Sequence, residues 1–233
     1  MISASTIQLP MLFILAIFSV GIPGFAICGM WAPNFLPIIC SYATVYISYE
    51  CVARALSVAF DDALLGMLSY LNIWFTSFLF AGMVIPETTV IWPFRVFFTI
   101  LPLKWGIQNV AYLDVIDATY SGAYPCDPAI RTDCLMAPGD SIGWTCTQTP
   151  GGNFNPLLCF GRTGKQVLYS LSANVGAVSI DDNIGRNFGI ILAIAVFFLT
   201  FYTILASLKA SKVSSIKDTM PEANVIEITT TSQ

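Results

Sequence analysis

The chain has 233 residues, of which 56% are hydrophobic and only 10% charged, and its mean hydropathy is +0.73. A water-soluble domain carries about 25% charged residues, so this composition excludes an ordinary soluble globule and points to a membrane. The net charge of −4 has no basic block to suggest a nucleic-acid partner, and the absence of histidine makes catalytic triads and zinc-hydroxide chemistry poor fits.

Residues 10–31, PMLFILAIFSVGIPGFAICGMW, form a first uncharged run. It lacks the basic flank of a cleavable signal and exceeds an apolar signal core of about 7–15 residues, so it reads as a retained span. Gly21, Pro23 and Gly24 predict a kink or an unwound turn late in it. Ala32, Pro33 and Asn34 make a tight connection, and residues 35–60 form a second span. Within it Glu50 and Arg54 stand four apart and reach the same helix face. Two readings of that pair are open: a switch or relay facing a partner helix or a watery path, or a pair near the membrane face that steadies the helix end.

Asp61 and Asp62 mark a short turn into a third span, residues 63–86, whose Trp74, Phe75 and Phe78 share one face. That face is either a lining for flat, greasy solutes or a contact for lipid and neighbouring helices. Residues 88–113 cannot be an ordinary span. Pro93 and Pro102 interrupt them, and Arg95 and Lys104 alternate with Trp92, Phe94, Phe97, Phe98, Trp105 and Tyr112. This mixture predicts a helix pair lying at, or dipping back into, the membrane boundary.

Residues 115–186 are a polar stretch with Cys126, Cys134, Cys146 and Cys159. Four cysteines allow three pairings; two bridges within the loop, which suit an oxidising compartment, are one reading, and thiols left free or joining two chains are the other. Residues 187–208 form a fourth uncharged span, followed by Lys209, Lys212 and Lys217. That cluster predicts a cytosolic C-terminus, hence a cytosolic N-terminus and an external or lumenal loop 115–186. The tail 209–233 reads as disordered. The predicted fold is therefore an all-α integral membrane protein with four transmembrane helices, a re-entrant or interfacial segment and a disulfide-stapled external loop.

Two local patterns need weighing. GRTGKQ at 161–166 fails as a phosphate loop, since the glycine spacing is wrong and Gln166 replaces the required hydroxyl. Gly185 and Gly189 have the small-xxx-small spacing that permits close helix approach, within the chain or in a dimer.

The stretch FAGMVIPETTVIWPFRVFFTILPLKWGIQNV, residues 80–110, resembles the end of the fifth transmembrane helix and the re-entrant segment of G-subfamily ABC transporters of the white and pleiotropic-drug-resistance type. TIQLPMLFILAIF is similar to the start of that family's third helix, residues 35–60 to its fourth, and NFGIILAIAVFFLTFYTIL to its sixth. The resemblance implies the C-terminal part of an ABC-2 type permease domain that moves hydrophobic or amphipathic molecules or lipids. The ATPase, with its ATP and Mg, would lie in a nucleotide-binding domain supplied in cis or in trans. It also implies a homo- or heterodimer of transporter halves, a valve at Met83 and Val84 after Gly82, and a substrate cavity lined at Trp74, Phe75 and Phe78. Met-Val stands where the family often has two leucines. No catalytic motif is visible in the chain, so no enzyme activity of its own is expected. The alternative is a tetraspanin-like four-span organiser without transport; the Cys-Cys-Gly step typical of those loops does not occur here.

Overall fold

The computed structural model describes residues 2–27, 34–85, 90–130, 132–146, 160–173 and 175–219. The architecture is mainly helical. Helix α1 (Ile2–Ala16) runs through a π-turn, Ile17–Gly21, straight into α2 (Ile22–Ile27). The kink or unwound turn expected at Gly21, Pro23 and Gly24 is thus a widened turn inside continuous helix. Pro23, which has no N–H to donate, follows directly on that widened turn. Gly21 lets the helix approach α3, since a Cβ there would sit 2.9 Å from Ile39 Cδ1.

Helix α3 (Phe35–Ala59) is the centre of the fold and packs against α1, α4, α6 and α8. With 25 residues at about 1.5 Å each it is about 37 Å long. Helix α4 is Ala63–Leu79, α5 is Phe97–Ile100, α6 is Pro102–Val115, α7 is Gly164–Ser172 and α8 is Ile184–Thr219. Among the described residues two helices are long and apolar enough to cross a membrane: α3, and α8 over Ile184–Lys212. Much of the apolar surface of α8 is exposed, including Leu192, Val196, Phe197, Ile204 and Leu208.

The third span read as 63–86 is shorter. Its helix stops at Leu79, so its 17 residues cover about 25 Å against about 30 Å of hydrocarbon. The stop has a local cause. Gly82 adopts φ 86°, a left-handed conformation that glycine takes without Cβ strain, and its α-carbon lies against the backbone of Gly176 and Ala177. At the other end of the chain α8 runs on to Thr219, so the first part of the stretch read as a disordered tail is helix.

The segment after α4 folds back. A short 3-10 turn, Phe94–Val96, leads into α5, where Phe97 and Phe98 close on Phe80 with ring centroids 5.4 and 5.3 Å away. Leu101 is extended, and Pro102 opens α6 at the position where its fixed φ suits a helix start. Helix α6 then runs antiparallel to the first half of α3. Leu103 and Trp105 pack on Val45, Tyr49 and Ile191, Gly106 meets Val45, and Asn34 Nδ2 donates to Leu113 O at 3.0 Å. So α6 begins beside the middle of α3 and ends beside its start. At the opposite end of α3, Lys209 Nζ of α8 donates to Asp61 Oδ1 at 2.6 Å.

The described parts of residues 115–186 are more structured than a loop. Strands β1 (Tyr124–Cys126) and β2 (Gly143–Thr145) pair antiparallel, and Trp144 is fully buried against Ala137 and edge-on to Tyr169 of α7. The GRTGKQ stretch has a structural role: Thr163 and Gln166 form a reciprocal capping box that starts α7. Gly164, at the same start, sits where any Cβ would overlap the carbonyls of Val115 and Ile116, which seats α7 on the end of α6.

Candidate functional site

The aromatic face stands on α4. Trp74 and Phe78 are one turn apart and stack with centroids 6.5 Å apart and planes 13° apart, as i and i+4 spacing on a helix dictates. Trp74, Phe75 and Phe78 are all exposed, at 47%, 55% and 43%, so a single chain presents them outward and does not enclose them. Met83 and Val84 follow in the turn that Gly82 creates, and both are exposed as well. Gly82 therefore decides where the pair sits: its contact with Ala177 ties this turn to the segment leading into α8.

Glu50 and Arg54 form a direct ion pair, Nε to Oε1 at 3.0 Å, with side chains only 31% and 21% exposed. Gln8 Nε2 of α1 also reaches Glu50 Oε1 at 3.4 Å. Gln8 and Glu50 line a cavity of about 430 Å³ whose walls are otherwise apolar, among them Met11, Leu15 and Phe18. Arg54 lies five residues from the end of α3, about 7 Å along the axis, within reach of the polar end for a long side chain. A second cavity of about 370 Å³ opens between α3 and α4 beside Asp61, Asp62 and Tyr70. Asp62 caps α4 by accepting from Leu64 N. The Lys209 ammonium, by hydrogen bond and by charge, holds the Asp61 carboxyl below its usual range.

Cys126 and Cys134 are joined in a disulfide across a sequence separation of 8. Cys146 is disulfide-bonded too, and Cys159 lies outside the described residues. Among the described residues Cys40 and Cys51 are free thiols, and no group of three or more His, Cys, Asp or Glu side chains could hold a metal ion. No family model, curated protein or solved structure matches this chain.

The structure also brings together groups whose meeting the sequence did not show. Lys104 is nearly buried, its ammonium 5.6 Å from the Phe98 ring centroid and 5.2 Å from that of Trp105. Cation–π attraction of this kind lets a charge leave water. Gln108 and Asn109 of α6 meet Asn187 of α8 in a buried polar contact. The signal for it was an Asn-bearing run inside an otherwise apolar helix, which no periodicity separates from a surface stripe. Close helix approach is likewise found elsewhere than at Gly185 and Gly189. Among the described residues nothing lies within 4 Å of a Cβ at either, whereas a Cβ at Gly106 on α6 would meet Val45. Burial pushes the Asp114 carboxyl up, near the end of α6.

Proposed function

We propose that this chain is the transmembrane portion of an ATP-driven, G-subfamily-like ABC exporter, moving hydrophobic or amphipathic small molecules or lipids, with the ATPase in another domain or partner chain. The observation that carries the reading is α6. Because it starts beside the middle of α3 and ends beside its start, the chain after α4 enters to about mid-depth and turns back. A re-entrant hairpin is what the resemblance implies for these residues.

In this reading the molecule crosses the bilayer four times, with α4 completed by the turn that follows it. The end of α3 that carries Asp61 and Lys209 faces the cytosol and the ATPase. The opposite end carries the disulfide-stapled unit outside or in a lumen. Two copies, or this chain and a homologous half, face each other across α4, which turns the outward-facing Trp74, Phe75 and Phe78 into the walls of a cavity between them. Stacking and dispersion would hold a flat apolar solute there with little directional demand. Met83 and Val84 close the path above that cavity, and a shift in the Gly82 turn opens it. The chain's own part is to bind, orient and gate.

The test uses the complex purified from its native membrane and reconstituted in vesicles. The expected result is vanadate-sensitive ATP hydrolysis that hydrophobic solutes stimulate, with a basal leak of a fluorescent apolar solute that rises in M83A/V84A. A complex without nucleotide-dependent activity would refute the transporter reading; an unchanged leak would remove the valve role alone.

A further inference from the structure

Where α3, α6 and α8 meet, three buried polar side chains lie at one level. Ser41 and Asn109 are wholly buried and Asn187 is 1% exposed. Their register follows from their neighbours. Gly106 meets Val45, and α6 runs opposite to α3, so Asn109, three residues on, comes back about 4.5 Å toward Ser41. Ile191 packs on Val45 and Tyr49, and α8 runs parallel to α3, so Asn187, one turn earlier, reaches that same level.

The two amides share one direct bond, Asn187 Nδ2 to Asn109 Oδ1 at 2.9 Å, and Asn187 Nδ2 also reaches Gln108 Oε1 at 3.3 Å. Asn109 Nδ2, Asn187 Oδ1 and Ser41 Oγ have no partner among the described residues. One is a donor, one an acceptor and one both. Turning Asn109 alone would set N–H against N–H across the 2.9 Å contact. Turning both amides would only exchange which of them carries the spare donor, so the demand does not depend on the amide orientations.

We propose that this three-helix junction is a binding site for one internal water molecule, bridging Asn109 Nδ2, Asn187 Oδ1 and Ser41 Oγ. Water fits because it accepts from an N–H and donates to an amide oxygen at once. A metal cation cannot accept from Asn109, and an anion cannot donate to Asn187. Buried waters make about three hydrogen bonds, the number on offer here. The water would let α6 be held to α8 and α3 by polar contacts at a depth where an unpaired group is costly. This site stands independently of the transporter reading.

The experiment has two arms on the full chain in its native complex in lipid nanodiscs. A cryo-EM map at a resolution that shows ordered solvent should contain one density within hydrogen-bond distance of all three atoms. Radiolytic hydroxyl-radical labelling in ¹⁸O water should oxidise the buried Ile191 several-fold faster than Leu168, which is equally buried in α7, and Asn109→Leu should remove that excess. A dry junction in the map, or equal labelling of Ile191 and Leu168 in the unmodified chain, would overturn the proposal. Since both readings are made on the unmodified protein, a variant that fails to fold leaves the test intact.

Discussion

The seating of α6 against α3 can be tested by moving a methyl group across the contact. A Cβ added at Gly106 would overlap the Val45 side chain. Gly106→Ala therefore brings an overpacking penalty of about 1–3 kcal/mol. Alanine's better helix propensity offsets about 1 kcal/mol of it, so the expected net destabilisation is about 0–2 kcal/mol. Val45→Ala alone removes packing contacts between helices worth about 1–2 kcal/mol. Together the two changes should partly cancel, because the alanine methyl on α6 enters the space that Val45 vacates. The coupling is expected to exceed 1 kcal/mol in favour of the double variant, or about 2–4 °C in Tm for a chain of this size. The assay is reversible unfolding of all four forms in micelles. Additivity within about 0.5 kcal/mol, or a Gly106→Ala variant more stable by the full propensity gain, would show that α6 does not sit against Val45, and the re-entrant geometry would fall with it.

Three further outcomes are expected. Gly82→Ala must place a Cβ on a residue with φ 86° and 2.9 Å from Ala177 N, which should cost about 2–4 kcal/mol, read as a lower Tm; an unchanged Tm would mean the turn is not held against Ala177. Opening the Cys126–Cys134 bridge by Cys126→Ser with Cys134→Ser should destabilise the unit around β1 and β2 by about 2.5 kcal/mol, the chain-entropy value for so short a loop; hydrogen exchange confined to residues 120–146 would register it, and equal protection in both forms would contradict it. The Asp61–Lys209 link follows pH with a defined sign. Because the folded carboxyl is held below its ordinary range, the link's contribution is complete above the unfolded value of about 3.9 and disappears as pH falls through the folded value. Being on the surface, it should also fade in 1 M salt, where the Debye length is about 3 Å; a spin label at Ser211→Cys, with Lys209 intact, whose mobility ignores both acid and salt would be the contrary result.

Much of the helical layout was legible because the apolar runs are long. The apolar stretches around α3 and α8 declare themselves through composition, and Pro102 announces the start of α6. Boundaries were harder. Gly82 and Pro86 are stop signals, but apolar residues continue to Ile85, and the contact that fixes the Gly82 turn, with Ala177, comes from 95 positions later by their numbers. The candidate site divides in the same way. The Trp74–Phe78 stack and the Glu50–Arg54 pair are local, one helical turn each, and spacing alone brings them together. The Asn109–Asn187 pair, the Gly106–Val45 contact and the Asp61–Lys209 link join residues far apart in the chain.

What the amino-acid sequence determines by itself is the solvent this chain demands and the identity of its rods, because hydropathy and proline act residue by residue. What the tertiary structure alone decides is which rod touches which and where the chain turns back. A glycine is permissive until a neighbour's backbone occupies the space its side chain would need, and an asparagine in an apolar helix is a burden until a second one arrives from another helix to meet it.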